Sequence, residues 1–135
     1  MSKPLALTLA VSLAAAALHA SADWPQWQGP DRNRVSRETG LRPEWPSGGP
    51  RVLWTAKSLG RGYGSTAVVG DRVFLQGGNA TSSVVIALNR ADGRPVWAKV
   101  IGPAETRQRI DQGAGPRGTP TVDGDRLYVL TETGD

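Results

Sequence analysis

Few residues in this chain could carry chemistry, and their types and spacing narrow the choice quickly. The single histidine, His19, lies within the first 22 residues, and there is no cysteine. Residues 23–135 therefore cannot assemble a Ser-His-Asp triad, a cysteine nucleophile or a His/Cys zinc site. Asp123-Gly124-Asp125 puts two carboxylates two positions apart, which would suit calcium if further oxygens converged. The equivalent residues of an internal repeat, Val69-Gly70-Asp71, keep only the second carboxylate, so a solvated hairpin turn is the better reading. Gly113, Gly115 and Gly118 match GxGxxG, but a dinucleotide site needs that turn between a strand and a helix N-terminus. Here Pro116 intervenes and a strand follows, which points to a loop between repeats. No carboxylate pair stands out as general acid and base, so no catalytic residue and no metal ligand is assigned.

The basic groups are 13 Arg and 3 Lys against 12 acidic residues, for a formal net charge of +4. Arg32, Arg34, Arg37 and Arg42 lie in residues 23–50, and Arg107, Arg109 and Arg117 lie in residues 102–117. Asp31, Glu38, Glu44, Glu105 and Asp111 are interspersed among them, unlike the dense basic patch that nucleic acid requires. Nucleic acid is excluded as a partner on that ground. Residues 102–117 are the one insertion that breaks the repeat, and loops on a fixed scaffold often carry recognition. Arg107, Arg109 and Arg117 are therefore the candidate contacts for an anionic group or partner, with a solvated loop as the alternative. Five Trp could stack on sugar rings or a planar cofactor, or could simply pack. Trp54 and Trp97 occupy repeat positions and read as packing residues; Trp24 and Trp27 read as pins for an N-terminal arm.

The elements that must position these groups follow from the punctuation of the chain. Lys3, an uncharged run over 5–18 and Ala20-Ser21-Ala22 together form an export signal with its cleavage site. A helix of 14 residues spans about 21 Å, short of a hydrocarbon core of about 30 Å. Cleavage would leave 113 residues starting at Asp23, in the periplasm or outside the cell, with no membrane anchor. No helical apolar stripe follows. Apolar runs of four to six residues, bounded by Gly, Asp or Pro, predict an all-β chain. Residues 23–50, rich in Trp, Pro and Arg, read as an extended arm with Trp24, Trp27 and Trp45 as its only large anchors. Strands are expected at 52–55, 65–69, 72–77, 84–89, 95–101, 119–122 and 126–131, with turns at Gly70-Asp71, Asp92-Gly93 and Gly124-Asp125.

Residues 64–75 align without gaps to residues 118–129, at an offset of 54. Gly64, Gly70, Asp71 and Arg72 recur as Gly118, Gly124, Asp125 and Arg126. Trp54 and Trp97 each end an apolar strand, 43 residues apart. A period of about 40–50 residues with four strands per unit is the pattern of a β-propeller blade. The expected organisation is a closing strand at 52–55, one full blade at 64–101, an insertion loop at 102–117 and the start of a second blade at 118–135. Such blades hide their faces and edges against neighbours. The chain is thus expected to be the N-terminal piece of a longer protein, whose remaining blades are its first partners.

Residues 87–97 resemble the tryptophan-docking motif of quinoprotein-type propellers, Ala-x-Asp-x-x-Thr-Gly-x-x-x-Trp. Ala87, Gly93 and Trp97 match, while Asn89 and Asp92 stand where Asp and Thr are usual. Asp23 to Pro30, Gly40-Leu41, Trp45-Pro46 and Leu53-Trp54 are also similar to the PQQ-binding-like β-propeller repeat proteins, with Gln28 where Arg is common. The resemblance implies that a Trp of one blade packs on the next, and that residues 52–55 pair with the last blade to close the ring. It also implies two functional expectations. The first is an exported, non-catalytic propeller that binds or scaffolds a protein or carbohydrate partner. The second is a dehydrogenase using PQQ and calcium on alcohols or sugars, with its catalytic residues beyond this stretch.

Overall fold

The computed structural model describes residues 23–105 and 114–134. Its strands are β1 (Ala67–Val69), β2 (Arg72–Gly78), β3 (Ser82–Asn89), β4 (Pro95–Pro103), β5 (Thr121–Asp123) and β6 (Arg126–Tyr128). The first four form one antiparallel sheet in the order β1-β2-β3-β4, and β5 pairs with β6 in a second. There is no helix among the described residues. The hairpins repeat in detail: Ala67 pairs with Phe74 and Thr121 with Tyr128, and each hairpin turns on a Gly-Asp pair. Gly70 and Gly124 have φ of 55° and 58°. Positive φ at the first turn residue alone matches the right-handed twist of the strands, and only glycine adopts it without strain.

Strand alternation sorts β2 and β3 into two buried faces. On one face, Val73, Ile86 and Leu88 form a core against which Trp54, Ala56, Leu59, Val68, Leu75 and Val84 pack. Segment 54–59 therefore lies over this face as a cover. On the opposite face, Ala67, Ser83 and Ala87 are fully buried, with Val85 and Gln76 nearly so. This face meets the second unit: the Gln76 amide donates to the Gly118 carbonyl at 3.1 Å, and Ser83 Oγ donates to Glu132 Oε1 at 2.7 Å. Burying Gln76 and Ser83 is tolerable because these bonds offset lost hydration.

Across the two sheets, β1 and β5 are the strands in contact among the described residues. The sheets thus converge at their first strands and spread apart outward. The N-terminal arm crosses this convergence. Trp24 and Val68 exchange backbone hydrogen bonds of 2.7 and 2.9 Å, and the Val122 amide donates to the Pro25 carbonyl at 2.8 Å. The otherwise open edge of β1 is capped in this way, which removes a site for unwanted strand addition.

Several expectations need correction. Residues 52–55 form no strand within the described chain, because a strand needs a ladder partner and no neighbour supplies one. The last two strands are shorter than expected, since residues 119–120 and 129–131 leave the ladder. Of the arm's expected anchors only Trp24 is held; Trp27 and Trp45 are 60% and 69% exposed.

The segments 59–64, 76–78 and 115–118 pack backbone against backbone. A Cβ on Gly77 would stand 1.9 Å from the Leu59 carbonyl oxygen, and one on Gly64 would stand 2.3 Å from that of Gly118. Gly77→Ala is expected to lower unfolding stability of the full-length protein by about 2–3 kcal/mol in urea titration. Gly48→Ala, where the added methyl meets nothing within 4 Å, should change it by under about 0.5 kcal/mol. Equal effects from the two variants would contradict this packing.

Candidate functional site

Two regions concentrate the residues singled out from sequence. The first is the turn between β3 and β4. The Asn89 amide donates to the Arg94 carbonyl and the Gly93 amide to the Asn89 carbonyl, both at 2.8 Å. Asn89 Oδ1 accepts from the Ala91 amide and Asp92 Oδ1 from the Arg94 amide, at 2.8 and 3.0 Å. These side chains occupy the positions where the resembling motif carries Asp and Thr, and both accept local backbone bonds as such short polar groups do.

Trp54 lies across this turn. Its indole Nε1 donates to the Arg90 carbonyl at 2.9 Å, bridging 36 residues of sequence. A Cβ at Gly93 would lie 2.3 Å from Trp54 Cε3, and Gly93 has φ of 71°. Glycine is required here twice over, for the turn and for the ring above it. Ala87 is fully buried and pairs with Trp97 across the β3–β4 ladder. Trp97 leans on Phe74 with ring centroids 6.1 Å apart and stays 39% exposed. The structure therefore brings Trp54, Gly93 and the Arg90 carbonyl together, and places Trp97 apart from them on the outer strand.

The second region is a cleft of about 340 Å³ lined by Trp27, Tyr63, Ser65, Arg117, Gly118 and Thr119. Ser65 and Thr119 are equivalent positions of the repeat, each just ahead of the first strand of its sheet. The Arg117 guanidinium sits over the Tyr63 ring at 5.7 Å, and the Tyr63 amide donates to the Pro116 carbonyl at 2.9 Å. Arg107 and Arg109 lie outside the described residues, so of the three candidate arginines only Arg117 is placed. Tyr63 was missed from sequence. Its only signal was its position one residue before the repeat, in a glycine-rich stretch.

The carboxylates are arranged differently. Asp71, Asp92 and Asp125 each pair with an arginine one or two positions on, Arg72, Arg94 and Arg126. Among the described residues no three acidic, histidine or cysteine side chains converge on one point. Asp123 and Asp125 flank a turn and do not form a cage. The described residues do not fit the calcium of a quinoprotein, and no step is routed through one.

Trp54→Phe removes the indole donor and should cost about 1 kcal/mol, while Gly93→Ala should cost about 1–3 kcal/mol through steric overlap and the strained φ. In a Trp54→Ala background the Gly93→Ala cost should fall by at least about 0.5 kcal/mol, because the overlapping ring is gone. Strict additivity in a double-mutant cycle by urea denaturation would refute the contact.

No curated protein and no solved structure matches the chain. A PQQ-like repeat family model, described as outer membrane protein assembly factor BamB, matches residues 36–135. That span contains the four-stranded sheet, the second hairpin and Trp54 on its turn. This all-β chain with its 54-residue repeat therefore belongs to the PQQ-like β-propeller repeat family.

Proposed function

We propose that the chain is the N-terminal part of an exported, non-catalytic β-propeller that binds or scaffolds a partner in the periplasm or outside the cell. The observation that carries this reading is where the polar chemistry goes. Gln76, Ser83 and the Trp54 indole tie the sheets and their cover together, and the exposed acids pair with neighbouring arginines. The aromatic and cationic groups that could recognise something sit on loops and the arm. Such a division, a stiff frame bearing variable loops, is how repeat scaffolds bind. The matching family model carries the description of an assembly factor, which supports the same reading. The run over 5–18 with Ala20-Ser21-Ala22 supports export.

In this reading Trp54 and the turn around Gly93 are a docking contact between the ring-closing segment and the first blade, with Ala87 as its buried floor. Residues 52–55 then form the outer strand of the last blade. Trp97 takes the same role toward the second blade. Purification of the full-length protein from its native host tests the function. The expected absorbance spectrum lacks a quinone, and adding PQQ with calcium leaves the melting temperature unchanged. A stoichiometric quinone, with reduction of an artificial acceptor in the presence of alcohols or aldoses, would overturn the proposal in favour of a dehydrogenase.

A further inference from the structure

We infer that the cleft between Trp27 and the Tyr63–Arg117 pair is a binding site for an acidic sugar, such as a uronate-containing oligosaccharide. This deepens the binding-scaffold reading and rests on it. The inference begins with the two tryptophans of the arm, which are treated differently. Trp24 is half-buried, exchanges backbone bonds with Val68 and lies over Gly29, where an added Cβ would be 2.8 Å from its ring. Trp24 anchors the arm by itself. Trp27, three residues on, is 60% exposed and lines the cleft. Its large apolar face is not used for anchoring.

The arm holds Trp27 stiffly. Gln26 Nε2 donates to the Pro30 carbonyl at 3.2 Å and Gln26 Oε1 accepts from Arg32 Nε at 3.1 Å. The Gly29 amide donates to the Gln26 carbonyl and the Arg34 amide to the Gln28 carbonyl, both at 3.0 Å. Both neighbours of Trp27 are thus fixed, and a ligand would not have to order the loop. Tyr63, 67% exposed, supplies a second ring, and Arg117 lies over it. A guanidinium held flat on an aromatic ring keeps its planar fork available to a carboxylate at its edge. Ser65 and Thr119 contribute hydroxyls that both donate and accept, as sugar hydroxyls require.

Size and charge choose among occupants. Small-ligand clefts run from roughly 300 to 1,000 Å³, and 340 Å³ accommodates one or two rings, not a folded partner. Two rings, two hydroxyls and one cation suit a pyranose with an apolar face, a polar rim and one acid. The Gly118 carbonyl beside the cleft is fixed by the Gln76 amide, so the floor is rigid as well.

Isothermal titration of the full-length protein with trigalacturonate tests the site, with maltotriose, inorganic sulfate and PQQ as comparison ligands. Trigalacturonate is expected to bind, with maltotriose at least about tenfold weaker and neither sulfate nor PQQ competing. Trp27→Ala should weaken binding at least about tenfold with an unchanged melting temperature. Arg117→Gln should remove the preference for the acidic over the neutral trisaccharide. No binding, equal binding of maltotriose, or full affinity in Trp27→Ala overturns the site and leaves the scaffold reading standing. Displacement of trigalacturonate by PQQ also overturns it, and then counts against the scaffold reading too.

Discussion

The placement of one indole on one glycine organises the described structure. Trp54 belongs to a segment with no strand partner of its own, yet its Nε1 hydrogen bond to the Arg90 carbonyl and its fit over Gly93 fix where that segment runs. With Trp54 in place, Ala56 and Leu59 are carried across the Val73, Ile86 and Leu88 core, closing one face of the four-stranded sheet. Without it that face would be open to water over much of its apolar area. A blade of this kind is stable only when both faces are covered. The contact therefore links a short turn motif to the burial of the whole sheet.

The other face is closed by a different device. The chain entering β1 and the chain entering β5 run side by side, with side chains removed where they cross, so that Gly64 faces Gly118 and Gly77 faces Leu59. Backbones can meet there because glycine takes away the Cβ, and the Gln76 amide fills the remaining need for a donor. The convergence of β1 and β5, bridged by Trp24 and Pro25, then puts the arm and both loops in one place. A cleft with aromatic, hydroxyl and guanidinium groups arises there because three separate pieces of chain end close together.

Much of this was legible in the sequence where the cause is local. The Gly-Asp turns, the equal hairpin registers 54 residues apart and the Asn89–Gly93 turn are set by short-range sterics and side-chain-to-backbone bonds, which composition displays directly. The fate of residues 52–55 was not, because strand character depends on a neighbour and periodicity does not say where one is. Trp27 and Trp45 looked like anchors because large aromatic residues usually bury; their exposure depends on what lies around the arm. Tyr63 and Arg117 are 54 residues apart and separated by a whole sheet, so their stacking had no sequence signal. The crossing of glycines had one in principle: the density of glycine at 60, 62, 64, 77, 78, 115 and 118 exceeds what turns require.

Amide hydrogen exchange on the full-length protein, read at Val52, Leu53, Trp54 and Thr55, tests ring closure most directly. In the structure Val52 and Leu53 are 74% and 72% exposed and pair with nothing in the described chain. If these residues are the outer strand of the last blade, amides in this segment exchange slowly, with protection comparable to β3. Exchange at the rate of an unpaired peptide throughout 52–55, while β3 remains protected, would contradict closure of the ring by this segment.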